Sequence, residues 1–479
     1  MGQTPRAHVD NSSGLGSDER LVPPLPQGGG GGEGEERAGY NAWLYRFALL
    51  TTVCTLFLII IGGLVTSHGA GMAVPDWPNS YGYNMFAFPI SKWIGGILYE
   101  HSHRLMASLV GLLTSVLAIW LWIRDTQGRE RWLGVGAIAL VLGFMGLRVL
   151  PVYVTLACLA FISGGFTLYK LKDDFCALRW WGILAFSAVI LQGVLGGLRV
   201  VWLKDQIGIF HATLAQLFFA LTCLIALLTS RWASERTALF GRPITAPHST
   251  FPLPLPKGEG WGEEEETVRK QNGLRKTCDA KESCAPTQNI FVWLLPVTTL
   301  LILTQLILGA TMRHQHAGLA IPDFPLAYGK LWPSMDPASV IKYNQQRQEL
   351  TALNPITAAQ IGLQMAHRVI ALLICVAVAF CAWTARRRLG AACLVSKLTS
   401  AWIALVLLQA LLGAATIWTG KAADVATAHV MMGALVLAIG LILSIVVSRD
   451  PASARVPAPK PESLNPFGLC PSAAHTVLK

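Results

Sequence analysis

Stretches of about twenty or more predominantly apolar residues recur along the chain, near 44–66, 103–123, 179–203, 208–230, 289–312, 364–385, 393–418 and 424–448. Each can cross a hydrocarbon layer about 30 Å thick. In lipid a lone segment satisfies its backbone polar groups only as a helix. A further apolar stretch, 132–169, is interrupted only by Arg148 and Pro151 and is long enough for a tight helical hairpin. An all-α polytopic membrane protein with ten spans is therefore predicted. Composition agrees, with 53% hydrophobic and 14% charged residues, far from the balance of soluble domains.

The formal charge of +11 does not point to nucleic acid, because most basic residues flank apolar runs instead of lining a polar face among aromatics. They read as topology signals and contacts to anionic lipid. Arg124, Arg129 and Arg131, then Lys170, Lys172 and Arg179, then Arg386 to Arg388 all fall on one side if the N-terminus is cytoplasmic, whereas 67–99 carries only Lys92. Both termini are thus expected in the cytoplasm, with the long loops outside. Residues 1–43 lack a signal peptide's apolar run and a transit peptide's acid-poor pattern, and read as a disordered cytoplasmic tail. Ten cysteines are present, mostly inside apolar runs or in segments placed in the cytoplasm, so no disulfide framework is implied.

The chain also repeats itself. Gly62 to Gly82 (GGLVTSHGAGMAVPDWPNSYG) aligns without gaps on Gly309 to Gly329 (GATMRHQHAGLAIPDFPLAYG), with nine identities in 21 positions. His103-Arg104 with His367-Arg368, Leu191-Gln192 with Leu408-Gln409, and His211 with His429 follow in the same order. Two pseudo-symmetric four-helix bundles are implied, with 132–169 an extra hairpin inserted in the first half. Because the insertion is a pair of spans, every later helix keeps its direction, and all four histidines fall near the same end of their helices.

A polar ring in hydrocarbon is expensive without a partner, so an intramembrane histidine is a functional candidate. A lone one is more often hydrogen-bonded across helices, but four at equivalent positions favour a ligand role. Two neutral imidazoles from facing helices can hold a haem iron axially. Zinc or copper stays open, although the pairs lack the nearby Cys, Asp or second His that completes such sites. Arg104 and Arg368 fit either propionate pairing or interfacial snorkelling.

Glu100 stands one turn before His103, where the second copy has Gln364. It fits a proton-handling carboxylate or a helix-start residue favourable to the dipole. The asymmetry suggests reaction in the first half and electron transfer in the second. Asp76 and Asp323, in the shared loop pattern, fit a local turn better than a propionate contact. His68, His314 and His316, without matching spacing, are expected to be solvated.

Together Glu100-His101-Ser102-His103-Arg104, the Gly71-to-Gly82 loop with Pro75-Asp76-Trp77-Pro78, Leu191-Gln192-Gly193, Phe210-His211-Ala212 and Ala366-His367-Arg368 resemble haem A synthase, over nearly all spans from 44 to 448. The resemblance implies an oxidoreductase of terminal-oxidase assembly that oxidises the C8 methyl of haem O to the formyl of haem A. It implies substrate haem on His103 and His211 with Glu100 essential, and a haem B cofactor on His367 and His429. It further implies a bacterial inner-membrane location, a membrane electron donor, and the farnesyltransferase that makes haem O as a partner. Two departures stand out. Some members carry a cysteine pair in the first long loop, whereas residues 67–99 contain none, and 132–169 lies outside the usual eight-helix pattern.

The domains read from the sequence are the tail 1–43, a haem-substrate bundle 44–230, a disordered cytoplasmic linker 231–288, a haem B bundle 289–448 and a cytoplasmic tail 449–479. In the linker, PLPKGEGWGEEEE (254–266) repeats PLPQGGGGGEGEE (24–36) with nine identities in 13, and neither copy can bury a core. Two other functions remain open: a bis-histidine cytochrome b passing electrons from quinol, and a haem-handling assembly protein without turnover.

Overall fold

The computed structural model describes residues 40–147, 149–235, 287–350 and 355–449. The expectations for most of the tails and linker, including both Pro/Gly/Glu-rich copies, lie outside these residues. The first half holds α1 (Ala42–Ser67), α2 (Gly96–Asp125), α3 (Gly128–Met145), α4 (Leu150–Asp173), α5 (Leu178–Trp202) and α6 (Asp205–Leu228), then the short α7 (Arg231–Glu235). The second holds α8 (Thr287–His314), α9 (Pro337–Leu350), α10 (Ala358–Leu389), α11 (Leu394–Trp418) and α12 (Ala423–Arg449).

Nine of the described helices are long and apolar enough to cross a membrane, and the protein is an all-α multi-pass membrane protein. The expected tenth, α3, is helical over Gly128–Met145. It spans about 27 Å at 1.5 Å per residue, but Arg129, Glu130 and Arg131 occupy its first turn. The predicted hairpin forms as α3 and α4, whose start at Leu150 places Pro151 in the first turn, where a missing N–H costs nothing.

Local signals set several helix starts. The Asn41 side chain accepts from the N–H groups of Trp43 and Leu44 at 3.0 Å, and Thr357 with Gln360 forms a capping box on α10. Both α2 and α10 begin before the apolar runs that announce them, at Gly96 and Ala358. The polar residues of their next turn, Glu100 and His101 on α2 and Gln364 on α10, are buried, and His101 and Gln364 bond to the long loops.

Contacts close α1, α2, α5 and α6 into one ring and α8, α10, α11 and α12 into another; α4 packs on α5 outside the first. The first core gathers Leu44, Val110, Leu117, Leu121, Phe218 and Ile225. The second gathers Leu295, Val378, Cys381, Trp402 and Leu443. Trp402 is fully buried and donates its indole N–H to the Val436 carbonyl at 2.9 Å. Gly440 leaves its ring room: a Cβ there would stand 2.8 Å from it. Trp402→Phe keeps the apolar body but loses the bond, so a cost of about 1 kcal/mol is expected, read as earlier thermal unfolding in detergent. An unchanged unfolding temperature would show that the bond contributes nothing net.

The rings meet along α1 and α6 on one side and α8 and α12 on the other. Small residues permit this approach. A Cβ on Gly63 of α1 would stand 2.8 Å from the Thr427 methyl of α12. The Arg313 guanidinium of α8 crosses the seam to donate to the Gly63 carbonyl and the Ser67 hydroxyl, both at 2.6 Å.

Each long loop folds on the same plan. The Asp76 carboxylate accepts from the N–H groups of Tyr81 and Gly82 at 2.7 and 2.8 Å. Asp323 accepts from Tyr328 and Gly329 at 2.8 and 2.9 Å. Tyr81 and Tyr328 turn at φ 50° and 51°, and Gly82 and Gly329 follow at 77° and 72°. This left-handed pair is why glycine closes both copies. The aspartates are local turn-makers, as their residue type suggested. In the second loop, α9 stacks Tyr343 on Tyr328 at 3.7 Å. Burial pushes the Tyr328 hydroxyl up to about 12, so it stays a donor to the Ala320 carbonyl, 2.6 Å away, across working pH.

Candidate functional site

All four repeat-related histidines lie within the first ten residues of their helices, His103 on α2, His211 on α6, His367 on α10 and His429 on α12. Each ring rests on a glycine of the preceding helix in its ring. A Cβ on Gly62 would stand 3.0 Å from His103 Cε1, one on Gly196 3.1 Å from His211, one on Gly309 3.3 Å from His367 and one on Gly413 3.0 Å from His429. Any side chain there would press on the imidazole. Gly62 and Gly309 open the two aligned repeat segments, so their coincidence was visible in the sequence although its purpose was not.

The ring nitrogens are short of partners. Nδ1 of His103, His211 and His367 is buried without a hydrogen bond, while His429 Nδ1 faces the Gln409 carbonyl at 3.2 Å. Gln192 and Gln305 donate to the backbone carbonyls of His211 and His367, at 2.9 and 2.8 Å. These amides tie the histidine helices to their neighbours and leave the imidazoles free. His103 lies within electrostatic range of His211, and His367 of His429.

The two copies differ around Glu100. Arg104 donates through Nη1 to the Asp76 and Asn79 carbonyls at 2.7 and 2.9 Å, and through Nη2 to the Val74 carbonyl at 2.7 Å and Glu100 Oε1 at 2.9 Å. In the second copy Arg368 donates to the Asp323 and Leu326 carbonyls at 2.7 and 2.9 Å. Both arginines therefore clamp their loops, a role that neither the propionate nor the snorkelling reading contained. Gln364 accepts from the Ile321 N–H at 2.6 Å and sends its amide N–H groups towards the Gly318 and Ile321 carbonyls. Glu100, 5% exposed, keeps Oε2 buried without a partner. The carboxylate is held by one oxygen and offers the other.

Residues without a repeat partner surround the first site. His101 is buried, its Nδ1 3.2 Å from the Ser80 hydroxyl and its ring between Phe88 and Trp93. The loop's Trp77 fills the space over Gly197, which brings the C-terminal end of α5 to the loop end. His314 is not solvated as expected. It is 9% exposed and packs on Gly208 of α6, where a Cβ would stand 2.5 Å from its Cε1. The glycine opens a slot that the sequence did not advertise. His68 and His316 are exposed, His68 stacking on Tyr99 at 4.2 Å. Lys421, beyond α11, is held below the ordinary lysine range by burial and by the charge of Arg313.

Among the described residues no three His, Cys, Asp or Glu side chains gather as a metal site. Two imidazoles with glycine-cleared faces suit a metal whose other positions are already filled, and a porphyrin brings four nitrogens of its own. Unpartnered ring nitrogens and glycine cradles fit such a group. The fold and site together define a multi-pass membrane protein with two histidine pairs in duplicated surroundings.

Residues 268–441 match the model of a family described as cytochrome oxidase assembly protein. Similar curated proteins include "Heme A synthase" of Shouchella clausii, 29% identical over 151 residues, 31% of this chain and 44% of that one. The "Heme A synthase" of Geobacillus kaustophilus is 24% identical over 189 residues, 38% of this chain and 42% of that one. That of Bacillus licheniformis is 35% identical over 91 residues, 19% and 28%. The chain spans less than half the length of these relatives. Over these partial stretches the chain is similar to haem A synthases.

Proposed function

We propose that the chain is a haem A synthase that oxidises the C8 methyl of haem O to a formyl group. The observation that carries this reading is the asymmetry within a symmetric frame: two glycine-backed histidine pairs, only one of which has a buried carboxylate with a free oxygen beside it. His103 and His211 hold the substrate haem O, and His367 and His429 hold a haem B cofactor. The bound haems supply the redox chemistry. Glu100 accepts or holds a proton at Oε2, with Oε1 fixed by Arg104. The long loops, clamped by Arg104 and Arg368, cover the sites and keep bulk water from the reacting edge. The protein lies in a bacterial inner membrane with both termini cytoplasmic and its long loops outside. It receives haem O from the farnesyltransferase that makes it; the four-electron oxidation of the methyl is balanced by dioxygen as co-substrate, reduced to water with further electrons from a membrane donor.

The test is to express the chain in membranes that make haem O but not haem A, and to separate the extracted haems by chromatography. Haem A is the expected product. Haem B alone, in membranes where haem O accumulates, would instead favour an electron-transfer cytochrome. A second expectation concerns the cradles. Gly413→Leu drives a side chain into the His429 ring and should remove the low-spin absorption of one haem while leaving the other. A full spectrum would show that the imidazole is not held as described.

A further inference from the structure

Arg199 lies near the end of α5, three residues beyond the glycine that faces His211. Its guanidinium rests against Gly71 of the first loop, where a Cβ would stand 2.7 Å from Nη2 and 3.0 Å from Nη1. It is near enough to His103, His211 and Glu100 for their charges to interact. Among the described residues its side chain makes no hydrogen bond and no ion pair, Asp205 acting on it only at longer range. A guanidinium has five donors, stays charged at any working pH and is costly to enclose without an anion.

The second copy lacks this cation. Thr416 stands at the equivalent position and turns its hydroxyl to the Gly413 carbonyl at 2.6 Å. Gly318, the counterpart of Gly71, has nothing within 4 Å of a built Cβ. Arg104 and Arg368, the arginines next to histidines in sequence, have given donors to loop carbonyls. Arg199 is thus a cation particular to the first site, within electrostatic range of both imidazoles, with its donors unspent.

On the paired-histidine reading given above, we propose that Arg199 is the carboxylate receptor of the first site: its guanidinium takes a propionate of the porphyrin held between His103 and His211. Two axial imidazoles leave the macrocycle free to rotate about the line joining them. A bidentate guanidinium–carboxylate pair at one edge removes that freedom and fixes which ring methyl is presented to Glu100. Arg199 is then a positioning residue for the choice of methyl. The second site holds a cofactor whose periphery does not react, and needs no such choice.

The experiment measures binding of haem O and of haem O dimethyl ester to the purified full-length protein in detergent. First-site binding is taken as the part that His103→Ala abolishes. A charge-assisted bond of this kind is worth about ten- to a hundredfold in affinity, so wild type should prefer the free acid by that factor. Arg199→Leu should bind both forms nearly equally, and Arg199→Lys should keep part of the preference. Equal binding of acid and ester by wild type, or an undiminished preference in Arg199→Leu, would overturn the assignment while leaving the histidine reading standing. Unchanged haem O binding by His103→Ala would remove the histidine reading and this inference with it. If Arg199→Leu does not fold, the ester comparison on wild type and on Arg199→Lys decides the matter.

Discussion

Glu100→Gln is expected to bind haem at both sites and to make almost no haem A. The substitution copies the second half, where Gln364 occupies the equivalent position. An amide can still accept from Arg104 through its oxygen, so the 2.9 Å contact that anchors the side chain has a replacement. What disappears is the buried second oxygen, Oε2, as a proton acceptor. Removing a positioned acid or base slows turnover by about 10²- to 10⁴-fold. Haem A formation should fall by that much, while the optical spectrum of the bound haems stays near that of wild type. Haem A at the wild-type rate would show that Glu100 serves structure alone.

Arg104→Leu should be among the most destabilising single changes at the loop end. The guanidinium donates to three loop carbonyls and to Glu100, and both side chains are more than nine-tenths buried. Leucine fills part of the volume but leaves the buried carboxylate without its ion-pair partner. Breaking a buried pair in this way costs about 3–5 kcal/mol, and the loop loses its anchor to α2. The expected result is a large drop in thermal stability in detergent, with proteolytic cleavage appearing within 70–95. Arg104→Leu with Glu100→Gln should recover part of the loss, because no buried carboxylate is then left without its arginine. A double variant no more stable than the single would show that the clamp on the carbonyls, not the ion pair, carries the effect.

Much of this arrangement was legible because the chain states it twice. The histidine positions, the turn-making aspartates and the hairpin all follow from aligned segments and apolar length. What escaped has physical causes. The partners of Arg104 and Arg368 are backbone carbonyls, which have no letter in a sequence. The early starts of α2 and α10 were hidden because Glu100, His101 and Gln364 are buried by loops and not by lipid, so hydropathy breaks off before the helix does. Arg199, Arg313 and His314 have no counterpart of the same type in the other copy, which makes them invisible to any argument from repetition. The glycines under the imidazoles were in view, but a glycine's use depends on what approaches it, and that is settled only by packing.

The Arg313 bridge has a consequence for how such a molecule can be assembled. Its guanidinium reaches from α8 to the Gly63 carbonyl of α1, next to the glycine that carries the His103 ring. The residue equivalent to Arg313 in the first copy is Thr66, whose hydroxyl turns back to its own helix at Gly62. Identical subunits related by a twofold axis would present arginine from both sides of such a seam or from neither. A junction with arginine on one side and threonine on the other is open only to copies whose sequences differ, as the two halves of this polypeptide do. The halves are therefore more than equal units joined end to end: α8 of one braces the stretch of α1 on which the His103 ring of the other rests.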